Sequence, residues 1–111
     1  MSSLSTHILD TVRGEPARGM TIALWHDGSL LFEGATNQDG RCPALGEGKT
    51  FAPGAYRLQF HVADYFRGRG VMLADPPFLD MVTIDFGMSG EGHYHVPLLV
   101  SPFAYSTYRG S

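Results

Sequence analysis

Short alternating runs, each stopped by a glycine or proline turn, constrain this chain more than any other feature. The clearest is Ala55-Tyr56-Arg57-Leu58-Gln59-Phe60-His61-Val62. Successive side chains of a strand point to opposite sides, so Tyr56, Leu58, Phe60 and Val62 share one face. Thr6 to Val12, Met20 to His26, Ser29 to Ala35, Asp80 to Phe86, His93 to Val100 and Phe103 to Arg109 read as further strands, with Thr50-Phe51 as a shorter piece. Asp27-Gly28 predicts a hairpin. Arg13 to Pro16, Asn37 to Arg41 and Gly87 to Gly92 predict turns. Asp64 to Leu73 is the one helical candidate. Asp64 is placed as its cap, Gly68 and Gly70 weaken it, and Asp75-Pro76-Pro77 ends it. Many short strands with frequent turns in 111 residues predict an all-β, two-sheet sandwich and a single domain spanning residues 1–111.

Charge and cysteine content remove several classes of function. A net charge of −3 lacks the clustered basic footprint of a nucleic-acid binder. No stretch approaches the ~20 apolar residues of a membrane-spanning helix. The opening Met1 to His7 has neither the basic nor the apolar segment of a secretory leader, and the end is not a Ser-Lys-Leu signal. Cys42 is the single cysteine, which rules out an internal disulfide and a paired-cysteine zinc site; it reads as a small core residue. A cytoplasmic protein is expected.

Strand parity sorts the residues with chemistry to offer. In the seventh run Tyr94, Val96, Leu98 and Val100 make a core face, leaving His93, His95, Pro97 and Leu99 on the other. Its two imidazoles would stand about 7 Å apart along the strand. In the first run Ser5, His7, Leu9 and Thr11 lie opposite Thr6, Ile8 and Asp10. In the last, Ser106, Tyr108 and Gly110 lie opposite Tyr105 and Thr107. One reading brings His7, His95 and Tyr108 together on the outer face of one sheet. Taken singly, each has an ordinary explanation: a hydrogen-bonded strand histidine, an interface tyrosine, and, for Arg41 after Asp39-Gly40, a solvated turn cation. Gly87-x5-His93-x-His95 copies the start of a cupin metal motif, but Leu99 and Val100 stand where its glutamate is needed. His7, His93 and His95 form a possible three-ligand zinc set, though no spacing specifies it. Ser5, Ser106 or Ser111 beside a histidine would be needed for a serine hydrolase, and no Gly-x-Ser-x-Gly elbow is present.

Three segments carry a resemblance to a known family. They are Leu4-Ser5-Thr6-His7-Ile8-Leu9-Asp10-Thr11 with Gly14-x-Pro16-Ala17; Thr36-Asn37-x-Asp39-Gly40-Arg41; and His93-Tyr94-His95-Val96-Pro97-Leu98-Leu99-Val100-Ser101-Pro102, continuing through Tyr105-Ser106-Thr107 to Tyr108-Arg109-Gly110-Ser111. Together they closely resemble the 5-hydroxyisourate hydrolases, the transthyretin-like enzymes of urate breakdown. The closing tetrapeptide is that family's signature, and hormone-carrying transthyretins lack it. Phe103 stands where the family often has tyrosine. The resemblance implies a sandwich of two four-stranded sheets with one short helix. It also implies a homotetramer, a dimer of dimers, with its sites in a central channel. It further implies hydrolysis of the cyclic N1–C6 amide of 5-hydroxyisourate to 2-oxo-4-hydroxy-4-carboxy-5-ureidoimidazoline, with no cofactor and no metal. The family's site residues map to His7, Arg41, His95 and Tyr108 to Ser111.

These residue types suit that chemistry. Neutral imidazole, from His7 or His95, is a base matched to pH 7. Arg41 is a permanent cation for a developing oxyanion and for a planar anionic ring. Tyr108 can pack against the substrate and hydrogen-bond to it. Ser111 can orient a histidine or bind a ring N–H. Parity separates Arg109 from Tyr108 and Gly110, so Arg109 is assigned to fixing the chain end or an interface. The alternative is a transthyretin-like carrier that only binds a ligand in its channel.

Overall fold

In the first ten residues burial alternates without a break. Ser2, Leu4, Thr6, Ile8 and Asp10 are buried, while Ser3, Ser5, His7 and Leu9 are half-buried on the opposite side. These residues form β1 (Ser2–Asp10) of a computed structural model that describes residues 1–110. In chain order there follow β2 (Glu15–Pro16), β3 (Thr21–His26), β4 (Ser29–Ala35), α1 (Pro43–Gly46), β5 (Gly54–His61), α2 (Val62–Gly68), β6 (Met81–Met88), β7 (Gly92–Val100) and β8 (Tyr105–Thr107). Two four-stranded sheets result, ordered β2-β1-β7-β8 and β4-β3-β5-β6, as expected from the resemblance.

Local chemistry explains where the elements depart from the sequence reading. β1 starts four residues before Thr6, because it pairs in parallel with β7 from Ser2–Gly92 to Asp10–Val100. It stops at Asp10, short of Val12. The Asp10 carboxylate accepts hydrogen bonds from the amides of Val12 (2.9 Å) and Arg13 (3.2 Å) and turns the chain back into β2. Asp64 does not cap the helix. β5 runs directly into α2 at Val62, and Asp64 sits in the first turn. The helix ends at Gly68 rather than Leu73, where Gly70 takes φ +80° and the Val71 amide bonds back to the Phe66 carbonyl. β8 is shorter than Phe103 to Arg109, since the Ser101 hydroxyl accepts the amides of Phe103 and Ala104 and keeps them in a turn. A second helical turn, α1, follows Cys42. The β3–β4 hairpin has positive φ at both Asp27 and Gly28, the backbone twist that suits a two-residue connection.

The core fills the space between the sheets. Ile8, Leu98 and Val100 from one sheet meet Ile22, Leu24, Leu58 and Phe60 from the other, with Phe66 of α2 alongside. Burial of such apolar surface is the main term holding a sandwich together. One polar group is built into this interior. The Tyr65 hydroxyl donates to Asp10 Oδ2 at 2.8 Å, and burial together with the Asp10 carboxylate pushes the phenol up to about 12. Tyr65→Phe leaves Asp10, only 1% exposed, short of one donor. A loss of about 1–3 kcal/mol in urea unfolding at pH 7 is expected. With a raised folded-state pKa, this stabilisation is present below the phenol's ordinary value of 10.0 and is lost as pH rises towards 12. Alkaline denaturation of wild type and variant should therefore converge.

Candidate functional site

The outer face of the β1–β7 pair is polar where the inner face is apolar. The parallel register sets Ser3 beside His93 and Ser5 beside His95, with His7 one step further on beside Pro97. Neighbouring strands in a sheet lie ~4.8 Å apart, so these side chains meet directly. Ser5 Oγ lies 2.8 Å from His95 Nδ1 and also 2.8 Å from His93 Nε2, and Ser3 Oγ lies 2.6 Å from His93 Nδ1. Among the described residues, His95 Nε2 has no hydrogen-bond partner, and neither does the His7 ring.

Arg41 reaches this face because of the turn before it. The Asn37 side chain accepts the amides of Asp39 (2.9 Å) and Arg41 (3.1 Å), and the Asn37 amide bonds to the Arg41 carbonyl at 2.7 Å. Gly40 takes φ +71°, and a Cβ there would stand 2.5 Å from the Ile8 carbonyl oxygen. The turn therefore lies directly on β1, sealed by the Ile8 amide donating to the Gly40 carbonyl. This sets Arg41 in a bridge opposite His7. Arg41, Ser3, Ser5 and His93 border one hollow, with Glu47 at its rim.

The chain end closes the other side. The Gly110 amide donates to the His95 carbonyl at 2.8 Å, forming a bridge between these two residues. A Cβ on Gly110 would sit 2.5 Å from His95 Cδ2, so a residue with no side chain is needed where the terminus lies against the imidazole. Arg109 turns away: its guanidinium lies 4.1 Å above the Tyr94 ring, on the face opposite His95. That contact holds the end of the chain against β7. Tyr108 is 61% exposed and borders a hollow with Ile84, Phe86, Tyr94 and Arg109, which neither His7 nor His95 lines. Ser111 lies outside the described residues.

Electrostatics favour a neutral His95. Its pKa is lowered first by burial, then by the positive field of Arg41 and the neighbouring His7 and His93. Cys42, next to Arg41 in sequence, is buried with its thiol pushed up by desolvation, which leaves it a poor nucleophile. Among the described residues no three or more His, Cys, Asp or Glu side chains converge as a metal-ligand set. The His93 and His95 rings instead turn their facing nitrogens to Ser5. Among the described residues no carboxylate is hydrogen-bonded to either ring.

The structure thus brings His7, Arg41, His95 and Gly110 together, while Tyr108 borders a separate hollow with Tyr94 and Val96 of the opposite face. Sequence reasoning missed Ser3, and it considered Ser5 only as a nucleophile. The signal was present: Ser3, Ser5 and His7 repeat at period two, a polar set on one strand face. What the sequence lacked was the pairing partner that gives the serines something to bind.

Known proteins share this arrangement of strands. Residues 4–110 match the profile of the HIUase/Transthyretin family. A 5-hydroxyisourate hydrolase of Mesorhizobium japonicum is 56% identical over 97% of this chain and 91% of its own length. The structure of Klebsiella pneumoniae 5-hydroxyisourate hydrolase superposes with a TM-score of 0.86 at 37% identity, covering 100% of this chain and 94% of that one. A crystal structure of (S)-allantoin synthase superposes with a TM-score of 0.89 at 44% identity; the match covers 99% of this chain but 44% of that protein, so this chain corresponds to less than half of it. By profile, identity and fold alike, the chain belongs to the HIUase/transthyretin family.

Proposed function

We propose that this chain is a single-domain hydrolase that opens the cyclic N1–C6 amide of 5-hydroxyisourate, giving 2-oxo-4-hydroxy-4-carboxy-5-ureidoimidazoline. The observation that carries the reading is His95, its pKa lowered and its Nε2 without a hydrogen-bond partner among the described residues, on the same outer face as Arg41 and His7. The full-length likeness to 5-hydroxyisourate hydrolases supports the same substrate.

The proposed chemistry follows from the positions. His95 Nε2 takes a proton from water as the oxygen attacks C6. The carbonyl oxygen gains charge, and the Arg41 guanidinium stabilises it and orients the ring. His7, bridged to Arg41, holds water or substrate against the β1–β7 face. Tyr108 packs on the substrate, and the carboxylate or hydroxyl of Ser111 binds a ring N–H. Collapse of the tetrahedral intermediate breaks the C6–N1 bond, and the proton held by the site goes to N1.

The homotetramer belongs to the same proposal. Phe103, Tyr108 and Met81 are exposed apolar or aromatic groups on or beside the edge strands β8 and β6, where a second copy can pair. Two dimers packed through the outer faces would enclose His7, Arg41 and His95 in a channel. Location in the cytoplasm is part of this reading. No helix among the described residues is long and apolar enough to cross a membrane. A carrier role fits less well, because a ligand channel needs apolar pockets, whereas this face presents imidazoles, hydroxyls and a guanidinium.

Product identity tests the proposal. Carbon-13 spectra of freshly generated 5-hydroxyisourate should show the ring-opened imidazoline accumulating faster with protein than in buffer. Equal accumulation would leave a carrier as the better reading. The pH dependence has a definite sign. A lowered His95 pKa keeps the base neutral below the ordinary imidazole value of 6.5, so the acid limb of kcat/KM should inflect below 6.5. Arg41→Gln removes one lowering influence and should move that inflection upward as well as slowing the reaction. An inflection above 6.5 in the wild type would contradict the assignment of His95.

A further inference from the structure

Ser3, His93, Ser5 and His95 form an unbroken row of hydrogen bonds across β1 and β7. The spacings along it are 2.6, 2.8 and 2.8 Å. A serine hydroxyl has one proton, so Ser5 donates to one imidazole and accepts from the other. The row therefore has two self-consistent settings. In the first, His95 Nδ1–H donates to Ser5 Oγ, Ser5 O–H donates to His93 Nε2, and His93 Nδ1–H donates to Ser3 Oγ. Every bond is satisfied, and His95 Nε2 is left with a free lone pair, as a base requires. In the second, all the donors are reversed and His95 carries its proton on Nε2.

We propose that Ser5 and His93 are positioning residues that act, from the first setting, as a proton relay leading away from His95. This rests on His95 being the base of the hydrolase reading. As His95 Nε2 takes a proton from the attacking water, its Nδ1 proton passes to Ser5 Oγ, and the Ser5 proton passes to His93 Nε2. The balance closes: hydroxide has joined the carbonyl carbon, His95 and Ser5 are again neutral, and His93 is an imidazolium whose Nδ1–H is held by Ser3. The reverse passage returns the proton through His95 Nε2 to the leaving nitrogen.

The layout gives the relay a reason. An imidazolium at His95 would be half-buried and would face Arg41 and His7, both unfavourable to its charge. His93 is exposed, at the edge of a hollow whose rim carries Glu47. Moving the charge one residue pair along the strand takes it towards solvent. Among the described residues, the charged and titratable groups around the row are Arg41, His7 and Glu47.

The test uses three variants of the full chain and two readouts. Ser5→Ala should lower kcat by about 10–100-fold with little change in KM, by analogy with the loss when partners that orient metal-bound histidines are removed. Ser5→Thr keeps the hydroxyl and should recover most of that loss. His93→Gln can still accept from Ser5 but cannot take up a proton, so it should also lower kcat and should straighten a bowed proton inventory in mixed light and heavy water. The second readout is independent of turnover: nitrogen-15 imidazole spectra at pH 7.5 should show His95 as the Nδ1–H tautomer in wild type and as Nε2–H in Ser5→Ala. A wild-type His95 in the Nε2–H form, or His93→Gln at the wild-type kcat, overturns the relay. Either result leaves the hydrolase reading standing on product formation by the wild type. Absence of that product would sink the hydrolase reading even with the spectra as expected.

Discussion

His95→Ala is expected to lower kcat by about 10²–10⁴-fold, the range attributed to a positioned general base. The fold should survive. His95 is half-buried on an outer face, its side chain bonds among the described residues to Ser5, and its backbone bridge to Gly110 does not need the ring. Thermal unfolding of the variant should therefore stay close to wild type while steady-state turnover collapses. Added imidazole should restore part of the rate, since the vacated space lies open beside Gly110, where the ring had been in contact. His7→Ala should fall within the same range if His7 holds the attacking water. Wild-type rates in both variants would remove the histidines from the chemistry.

Deleting Tyr108 to Ser111 should have an effect as large, with turnover lost and folding retained. Among the described residues this segment contributes one backbone hydrogen bond, from Gly110 to His95, and the stacking of Arg109 on Tyr94. None of its described residues belongs to the buried core. β8 remains paired with β7 through Tyr105–Val100, Ser106–Leu99 and Thr107–Leu98, and the Thr107 hydroxyl still donates to the Pro97 carbonyl. What is lost is the wall beside the His95 ring and the tyrosine and terminal serine proposed to meet the substrate. Circular dichroism and urea unfolding separate the two possible causes of inactivity. A truncated chain that unfolds would mean that the segment works mainly as a structural clamp.

Much of this site was legible because strand parity is a local property. The alternation of Tyr94, Val96 and Leu98 with His93 and His95 appears in the sequence and survives unchanged in β7. The Asn37-to-Arg41 turn was equally plain, since Asp39-Gly40 marks a tight reversal and Gly40 takes the positive φ that makes it tight. The parallel pairing of β1 with β7 was not legible. It joins Ser5 to His95 across ninety residues with no connecting turn, and nothing local encodes its register. For that reason Ser5 could be placed on the His7 face but not between two imidazoles. Element ends failed for a related reason. The termination of β1 depends on the Asp10 side chain turning back to bond its own following amides, and the early start of α2 depends on the Ala63 amide finding the Asp80 carbonyl. Such contacts decide boundaries without altering hydrophobic period. Arg109 shows the limit of parity: it was set apart from Tyr108, yet β8 ends at Thr107 and both residues border the hollow beside Tyr94.

The most direct test of the account is the ultraviolet decay of freshly generated 5-hydroxyisourate, followed with and without the wild-type protein. Spontaneous decay sets the baseline, so the quantity to measure is acceleration. The account predicts an initial rate that rises in proportion to protein concentration and falls to near baseline when His95 is replaced by alanine. Decay at the buffer rate with correctly folded wild-type protein would contradict it.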